Sequence, residues 1–249
     1  MRTIVVGASS GLGRCIGRGL AQRGAQVALL ARRRGQLEDA AKEAGPGAVA
    51  IECDVTDETT CRAAIAEAAA ALGGVDAVVY ATGIGPLGRI EDLDAGTWHK
   101  AFATNVVGAS VVTSAALPHL TASRGTAVYL SSVSASMTQP WPGLGAYVVS
   151  KAALDKLVDA WRAEHPEVGF TRLTIGDCIG GDGDSLTQFA NEWDPELFGE
   201  LHPEWVARRY IAGAFIDVEH LVDVVDTIVR GGASLAMPSV TVVPRPPAA

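Results

Sequence analysis

Short runs of β-branched and aliphatic residues alternate with longer helical segments along the chain, and this alternation restricts the possible folds most strongly. The first predicted strand is TIVVG at 3–7, and the first helix covers 13–24. Further strands are predicted at 26–31, 48–55, 75–81, 125–132, 169–176 and 239–244, and further helices at 34–45, 57–72, 95–117, 145–163 and 219–231. The strands are continuous apolar runs, as expected where helices cover both faces of a parallel sheet. The sequence therefore predicts a doubly wound α/β fold with a mostly parallel sheet of about seven strands.

Composition narrows the possible functions. The 249 residues are 48% hydrophobic, which is enough for a large core, and we expect one domain over 1–249. The net charge of −8 argues against nucleic acid or an anionic membrane as the main partner. The four cysteines are scattered and form no zinc or disulfide pattern. With no targeting segment and no uninterrupted apolar run of about 18 residues, we expect a cytoplasmic protein without a metal site.

A glycine-rich loop, GASSGLG at 7–13, joins the first strand to the first helix. Glycine at 7, 11 and 13 lets the backbone turn tightly and approach a pyrophosphate at the helix N-terminus, where free N–H groups and the helix dipole favour anions. A glycine pattern alone is weak, but its position between a strand and a helix supports dinucleotide binding. The loop residues expected to contact the cofactor are Gly7, Ser9, Ser10, Gly11, Leu12 and Gly13.

The end of the second strand predicts which dinucleotide binds. NAD usually requires an acidic residue there for the ribose 2′-hydroxyl, whereas this chain has Ala31 followed by three arginines. The arginines are either a solvated basic patch or a clamp for a 2′-phosphate. We expect Arg32 and Arg33 to select NADP(H) over NAD(H). Asp54 and Val55, at the end of the third strand, are expected on the adenine side, although Asp54 is equally suited to a turn.

Five motifs occur in order along the chain and together resemble the short-chain dehydrogenase/reductase family over essentially its whole length. They are the glycine loop, Asp-Val at 54–55, TNVVG at 104–108, LSS at 130–132 and Y-x-x-x-K at 147–151. The resemblance implies a Rossmann-type domain, an oxidoreductase that interconverts a carbonyl compound and its alcohol, and a homodimer or homotetramer formed through helices near 95–117 and 145–163. It also implies cofactor contacts from Ala81, Thr82, Gly83, Tyr147, Lys151 and Ile179.

Tyr147 and Lys151 are suited to proton transfer. A proton donor to a developing alkoxide works best with a pKa near ambient pH, whereas a free tyrosine has a pKa of about 10. One helical turn places Lys151 beside Tyr147, and a nearby cation favours the phenolate and lowers that pKa. In an arbitrary protein such a pair is usually an ordinary amphipathic pair. Here we expect Tyr147 to be the general acid/base.

The serine and asparagine of the site are assigned less directly. Ser132 directly follows the fifth strand and would stabilise charge on the substrate oxygen. The family spacing from serine to tyrosine is thirteen residues, which Ser134 matches, while Ser132 lies fifteen residues before Tyr147, across an apparent two-residue insertion. We prefer Ser132 and keep Ser134 as the alternative. The resemblance gives Asn105 a supporting role in a proton relay to the lysine, and a helix-bend residue is its structural alternative.

Two segments depart from the family pattern. Tyr80 and Ala81 of YATG replace two asparagines, and GDCIGGDG at 176–183 replaces a Pro-Gly turn, which puts the register of Ile179 in doubt. We expect a variable lid at about 184–215. Its large residues, with Trp141, either face an apolar substrate or pack among themselves; they are Phe189, Trp193, Leu197, Phe198, Trp205 and Tyr210. Alternative functions are a non-catalytic dinucleotide-binding regulator, or a dehydratase, epimerase or enoyl reductase on the same scaffold.

Overall fold

A computed structural model describes residues 1–181 and 186–245. Its strands are β1 (Arg2–Val6), β2 (Gln26–Ala31), β3 (Val49–Glu52), β4 (Ala77–Tyr80), β5 (Thr126–Ser132), β6 (Gly169–Ile175) and β7 (Ser239–Val242). The α-helices are α1 (Gly11–Gln22), α2 (Arg34–Ala44), α3 (Glu58–Leu72), α4 (Ala95–Phe102), α5 (Gly108–Ser123), α6 (Val133–Ser136), α7 (Gly145–Glu164), α8 (Pro195–Ala207) and α9 (Val218–Val229). A π-helical segment, Ala103–Val107, joins α4 to α5, and 3₁₀ turns occur at Ile90–Asp92 and Gly232–Ser234.

All seven strands form one parallel sheet in the order β3-β2-β1-β4-β5-β6-β7, so the predicted doubly wound fold is confirmed. Apolar side chains form a separate core on each face. One core includes Tyr80, Leu120 and Leu154 and lies under α3, α5 and α7. The other includes Leu20 and Leu221 and lies under α1, α2 and α9. Burial on both faces explains why the strands are continuously apolar in sequence.

The strand order reverses between β1 and β4, which pair directly with Val6 opposite Tyr80. In doubly wound sheets, ligands bind outside the carboxyl ends of the strands at this switch point. The loops after β1, β4, β5 and β6 therefore converge on one crevice. Seven site residues predicted from sequence lie in these loops: Gly7, Ser9, Ser10, Ala81, Thr82, Gly83 and Ile179.

The helix predicted over 95–117 is longer and less regular than expected. It runs to Ser123 through Pro118, and Arg124 ends it in the left-handed conformation. Within the described residues, Ala95–Ser123 is one stretch that length and composition alone would allow to cross a membrane. Core helices of globular domains meet the same criterion, and here Ala109, Val112, Ala116 and Leu120 are buried in the core under the sheet.

Tyr80 links the sheet to the π-helical segment. Its hydroxyl is buried and donates to the carbonyl of Thr104 at 2.6 Å. A Cβ on Gly108 would lie 2.8 Å from the same hydroxyl, so glycine is needed at that position. Where the family pattern has an asparagine, this chain therefore joins the end of β4 to the helix that carries Asn105 through a phenol.

We expect Tyr80→Phe to lower the free energy of unfolding by about 1–3 kcal/mol, because it removes a hydrogen bond from the buried Thr104 carbonyl. Tyr129→Phe is a matched control. It removes a 2.6 Å contact with Thr113, but the Thr113 hydroxyl still donates to Ala109 O and is not left unpaired. Urea denaturation of both variants tests this. Equal losses in the two variants would contradict a special role for the Tyr80 hydroxyl.

Candidate active site

The glycine loop after β1 is packed too tightly for other residues. Gly7 has φ of +88° and Gly11 has φ of +57°, values that disfavour L side chains. A Cβ on Gly13 would lie 2.3 Å from the Gly7 carbonyl oxygen, and one on Gly7 would lie 2.5 Å from Thr82 Oγ1. The side chain of Ser10, the N-cap of α1, makes no capping hydrogen bond. The predicted loop therefore forms, and its backbone is close to the loop after β4.

Two serines and one arginine converge beside this loop. Arg33 Nη2 donates to Ser9 Oγ at 2.9 Å and to Ser10 Oγ at 2.7 Å, while its Nη1 donates to the side chain of Gln188. Burial lowers the pKa of Arg33, and the charge of Arg32 adds to this effect. Within residues 1–181 and 186–245, the guanidinium thus donates to neutral hydroxyl and amide groups and to no carboxylate. This arrangement suits an anionic ligand.

Arg34 and Asp54 have different surroundings from Arg33. Arg34 is exposed and forms an ion pair with Glu38 at 2.9 Å. Asp54 Oδ1 accepts from Thr56 N at 2.9 Å and Thr56 Oγ1 at 2.7 Å, so Asp54 does form the turn that sequence reasoning left open. Burial acts to raise the pKa of Asp54, but the Thr56 hydrogen bonds and the Arg32 charge leave it lowered. Val55 is buried directly after it.

Ser132, Tyr147 and Lys151 meet at the carboxyl end of β5. The Tyr147 hydroxyl interacts with Ser132, and Lys151 Nζ lies 6.0 Å from the centre of the Tyr147 ring. Ser134 Oγ is 2.9 Å from Ser132 Oγ but is itself buried in the short helix α6. Of the two serines, Ser132 is the more exposed and is the one whose side chain acts on Tyr147.

The pKa values differ from the sequence expectation. Burial raises the pKa of Tyr147, and the hydrogen bond with Ser132 offsets this only in part. Lys151 is 4% exposed, its Nζ donates to the Leu130 carbonyl at 2.7 Å, and burial lowers its pKa to about 8. The expectation that Lys151 lowers the phenol pKa is therefore wrong for the residues alone, because desolvation dominates both groups.

Asn105 connects three parts of the site from the π-helical segment. Its Oδ1 accepts from Ile84 N at 2.9 Å, and its Nδ2 donates to Ile84 O at 2.9 Å and to Ser150 Oγ at 2.8 Å. Ser150 in turn donates to the Tyr147 carbonyl at 2.8 Å. Sequence reasoning missed Ser150, although its place directly before Lys151 on a buried helix face was a usable signal. Asn105 therefore fixes the helix that carries Tyr147 and Lys151.

The loop after β4 lies against the catalytic candidates. Ala81 N continues the sheet by donating to Val6 O at 2.9 Å, and a Cβ on Gly13 would contact Ala81 Cβ at 3.2 Å. Thr82 covers Gly7, and a Cβ on Gly83 would lie 3.2 Å from Lys151 Nζ. The small residues at 81 and 83 thus allow α1 and Lys151 to approach this loop.

The segment after β6 covers the start of α1. A Cβ on Gly180 would lie 2.7 Å from the backbone at Gly11 and Leu12, which explains glycine at this departure from the family pattern. Ile179, predicted near the nicotinamide, is 45% exposed at this edge. Residues 182–183 of this segment, and 184–185 at the start of the predicted lid, lie outside the described residues.

Most aromatic residues of the lid pack among themselves. Trp205 is 2% exposed and donates from Nε1 to Pro142 O at 2.9 Å, and Trp141 stacks on Tyr210 at 5.5 Å. Trp193 donates to Gly85 O at 2.7 Å. Phe189 packs edge-on against Trp193 at a centroid distance of 5.4 Å, and its ring also contacts Tyr147 edge-on at 4.9 Å. These aromatics therefore pack among themselves, and Phe189 also reaches the site.

These features fit a bound nicotinamide dinucleotide. The tight glycine turn precedes the N-terminus of α1, where a pyrophosphate would bind, and Arg33 with two serines lies beside this turn and suits an anion. The Gly7 loop, Arg33 and the Asp54–Val55 turn would hold the adenosine half. Tyr147 and Lys151 would hold the nicotinamide half. The cofactor would supply or accept a hydride when bound.

Comparison with known proteins agrees with this architecture. Residues 2–176 match the model of the short chain dehydrogenase family. A short chain dehydrogenase of Pseudocercospora fijiensis is 36% identical over 180 residues, which cover 69% of this chain and 57% of the relative. The 11-beta-hydroxysteroid dehydrogenase A of Sesamum indicum is 33% identical over 179 residues, which cover 70% and 51%. The chain therefore spans a little over half the length of these relatives.

A solved structure shares the fold across almost the whole chain. The alcohol dehydrogenase of Thermococcus sibiricus, complexed with 5-hydroxy-NADP, is 24% identical, covers 96% of this chain with 94% of its own, and superposes with a TM-score of 0.78. This likeness shows the fold alone, whereas the match of residues 2–176 to the family model shows the family. The chain belongs to the short-chain dehydrogenase/reductase family of oxidoreductases, which use nicotinamide dinucleotides.

Proposed function

We propose that the protein is an NADP(H)-dependent oxidoreductase that interconverts a carbonyl compound and the corresponding alcohol. The meeting of Ser132, Tyr147 and Lys151 at the carboxyl end of β5, beside the glycine loop, carries this proposal. A protein that only binds a dinucleotide has no need for a phenol, a hydroxyl and a buried ammonium in one crevice. The regulator reading would therefore require catalysis to be absent despite this arrangement.

Each residue has a separate task in the proposed reaction. Ser132 donates a hydrogen bond to the substrate oxygen and stabilises the charge that develops there. Tyr147 holds the proton that this oxygen gains or loses, because its hydroxyl is the acidic group next to Ser132. Lys151 supplies a positive charge behind the phenol and a donor for the ribose. Asn105 holds α7 in place through Ser150.

The lid favours a moderately apolar substrate. Phe189 lies on Tyr147, so a bound substrate would meet an aromatic ring, and the same ring occupies the space beside Gly85. The sesame relative is named as a hydroxysteroid dehydrogenase. A ketone, aldehyde or secondary alcohol with an apolar body is the corresponding proposal for this chain.

Exposed Val107 and Val149 on the helices predicted to associate support a homodimer or homotetramer.

Tyr147→Phe is expected to lower turnover of NADPH with a carbonyl substrate by about 10²–10⁴-fold and to leave NADPH binding intact, because only the proton donor is lost. Absorbance at 340 nm against a carbonyl panel, and NADPH fluorescence titration, measure the two effects.

Ser132→Ala should lower kcat by roughly 10²-fold, whereas Ser134→Ala should not. Loss of turnover only in Ser134→Ala would reverse that assignment. Equal inertness of wild type and Tyr147→Phe, with tight NADPH binding, would favour the regulator.

The double substitution Arg32→Asp, Arg33→Ala should reverse the preference for NADPH over NADH. Charge-assisted hydrogen bonds contribute roughly 1.5–3 kcal/mol each, so the loss of one from each arginine should lower NADPH affinity by about 10²–10⁴-fold. Arg34→Ala is the matched control, because Arg34 pairs with Glu38 on the surface. Dissociation constants for both cofactors decide the matter. An unchanged ratio of the two in the double variant would exclude the phosphate clamp.

Lys151→Met should make the protein more stable at pH 7 while it abolishes turnover. The fall of the Lys151 pKa from 10.5 to about 8 corresponds to roughly 3 kcal/mol, and the lost bond to Leu130 O offsets about 1 kcal/mol. Because the folded-state pKa is the lower one, the unfolded chain binds more protons between pH 8 and 10.5, and wild type gains stability as pH rises through this window.

Lys156→Met is the control for this measurement. Lys156 is on the same helix, and its side chain is 85% exposed, so the change should stay within about 0.5 kcal/mol at every pH. Denaturation curves from pH 7 to 10 compare the two variants. A difference between Lys151→Met and wild type that does not narrow with rising pH would contradict a desolvated ammonium.

A further inference from the structure

A buried carboxylate lies one helical turn beyond Lys151. Tyr147, Lys151 and Asp155 follow one another at intervals of four residues on α7, so their side chains lie on one face of the helix. Asp155 is only 6% exposed. A buried carboxylate is costly unless it is well paired, and none of the roles proposed above uses it. Its position therefore calls for an explanation.

Asp155 is incompletely paired. Its nearest cation is Arg172 of β6, with Nη1 3.6 Å from Asp155 Oδ2. This exceeds an ordinary hydrogen bond, and Arg172 also donates to Ser239 Oγ at 3.1 Å. The hydroxyl of Ser131 is buried beside the carboxylate. An ion pair on the surface would not need a buried carboxylate. Because Arg172 is too far away to neutralise Asp155 fully, the negative charge can act on other nearby groups.

Strand β5 joins this carboxylate to Lys151. Ser131, beside Asp155, directly follows Leu130, whose carbonyl accepts the 2.7 Å hydrogen bond from Lys151 Nζ. The ammonium thus donates to a carbonyl of the strand, and the carboxylate lies one turn further along its own helix. These two groups partly offset the free-energy cost of removing the ammonium from water.

We propose that Asp155 is a positioning residue for Lys151, whose buried carboxylate keeps the ammonium charged and directed at the Leu130 carbonyl. This rests on the proposed function, in which the Lys151 charge supports proton exchange at Tyr147. Asp155 raises the pKa of Lys151 against the larger lowering by burial. Burial raises the pKa of Asp155 itself, and Ser131, Arg172 and Lys151 act in the opposite direction.

Other ionisable groups near α7 have other partners. Lys100 of α4 pairs with Glu192, and Asp159 on α7 pairs with Lys156 and Arg162. The Tyr129 hydroxyl of β5 is 2.6 Å from Thr113 Oγ1, and burial raises its pKa. His99, also on α4, is on the element that packs against the first part of α7. Among the described residues, the carboxylate that acts on Lys151 is therefore that of Asp155.

NMR titration of protein labelled with ¹³C at the lysine ε-carbon tests the proposal directly. The Lys151 signal is identified by its absence in Lys151→Met. In Asp155→Asn its titration midpoint should fall by about one pH unit, because a neighbouring opposite charge is lost. Asp159→Asn, one turn further along α7, should leave the midpoint unchanged. A folded Asp155→Asn protein with an unchanged Lys151 midpoint would overturn the proposal.

Asp155→Asn leaves Arg172 without its carboxylate and could prevent folding. A second pair of variants tests the proposal in that case. Arg172→Gln alone and Asp155→Asn with Arg172→Gln differ only in the carboxylate, and replacing both partners of a buried pair is often tolerated. The double variant should have the lower Lys151 midpoint, and equal midpoints would overturn the proposal. If turnover is found, the pH dependence of kcat should move in parallel. If no variant turns over substrate, the proposed function fails while the Lys151 titration still reports on Asp155.

Discussion

Close contact between the loops after β1 and β4 determines the geometry of the whole crevice. These strands are neighbours because the strand order reverses there, and Val6 pairs with Tyr80 at their last register position. The backbones beyond them then approach so closely that Gly7 has no room for a Cβ beside Thr82, nor Gly13 beside the Gly7 carbonyl. Larger residues would push α1 away from β4. The N-terminus of α1 and Lys151 would then no longer flank one ligand.

The catalytic candidates depend on a second set of contacts behind this crevice. The Tyr80 hydroxyl bonds to Thr104 O, Asn105 bonds to Ile84 and Ser150, and Ser150 bonds to the Tyr147 carbonyl. These bonds connect β4, the π-helical segment and α7 in series. π-helical turns leave backbone groups out of the regular helical pattern and often mark functional sites. Here the irregular turn brings Asn105 inward, and Tyr80 bonds to the neighbouring carbonyl.

Sequence periodicity was sufficient for the sheet, because strands buried on both faces are recognisable as continuous apolar runs. It was also sufficient to bring the glycine loop and Ser132 to the same edge, since parallel strands end together. It could not reveal Phe189, because which of several lid aromatics faces the site depends on how Trp193 and Trp205 pack. Nor could it show which of the three consecutive arginines faces the glycine loop. In the structure Arg33 donates to Ser9, whereas Arg34 pairs with Glu38 on the surface.

The sign of the Tyr147 pKa shift was the clearest failure of pattern reasoning. Spacing puts an ammonium near the phenol, but spacing contains no information about solvent. Lys151 is buried and Tyr147 is partly buried, and desolvation disfavours phenolate and ammonium alike, so the pKa of the phenol is raised and not lowered. A useful proton exchange then requires more charge near the pair than the two residues provide. Asp155 behind Lys151 is one source, because it keeps the ammonium charged, and the positively charged ring of an oxidised nicotinamide would be the other. The site is therefore balanced by three or more charges, and a two-residue motif describes only its centre.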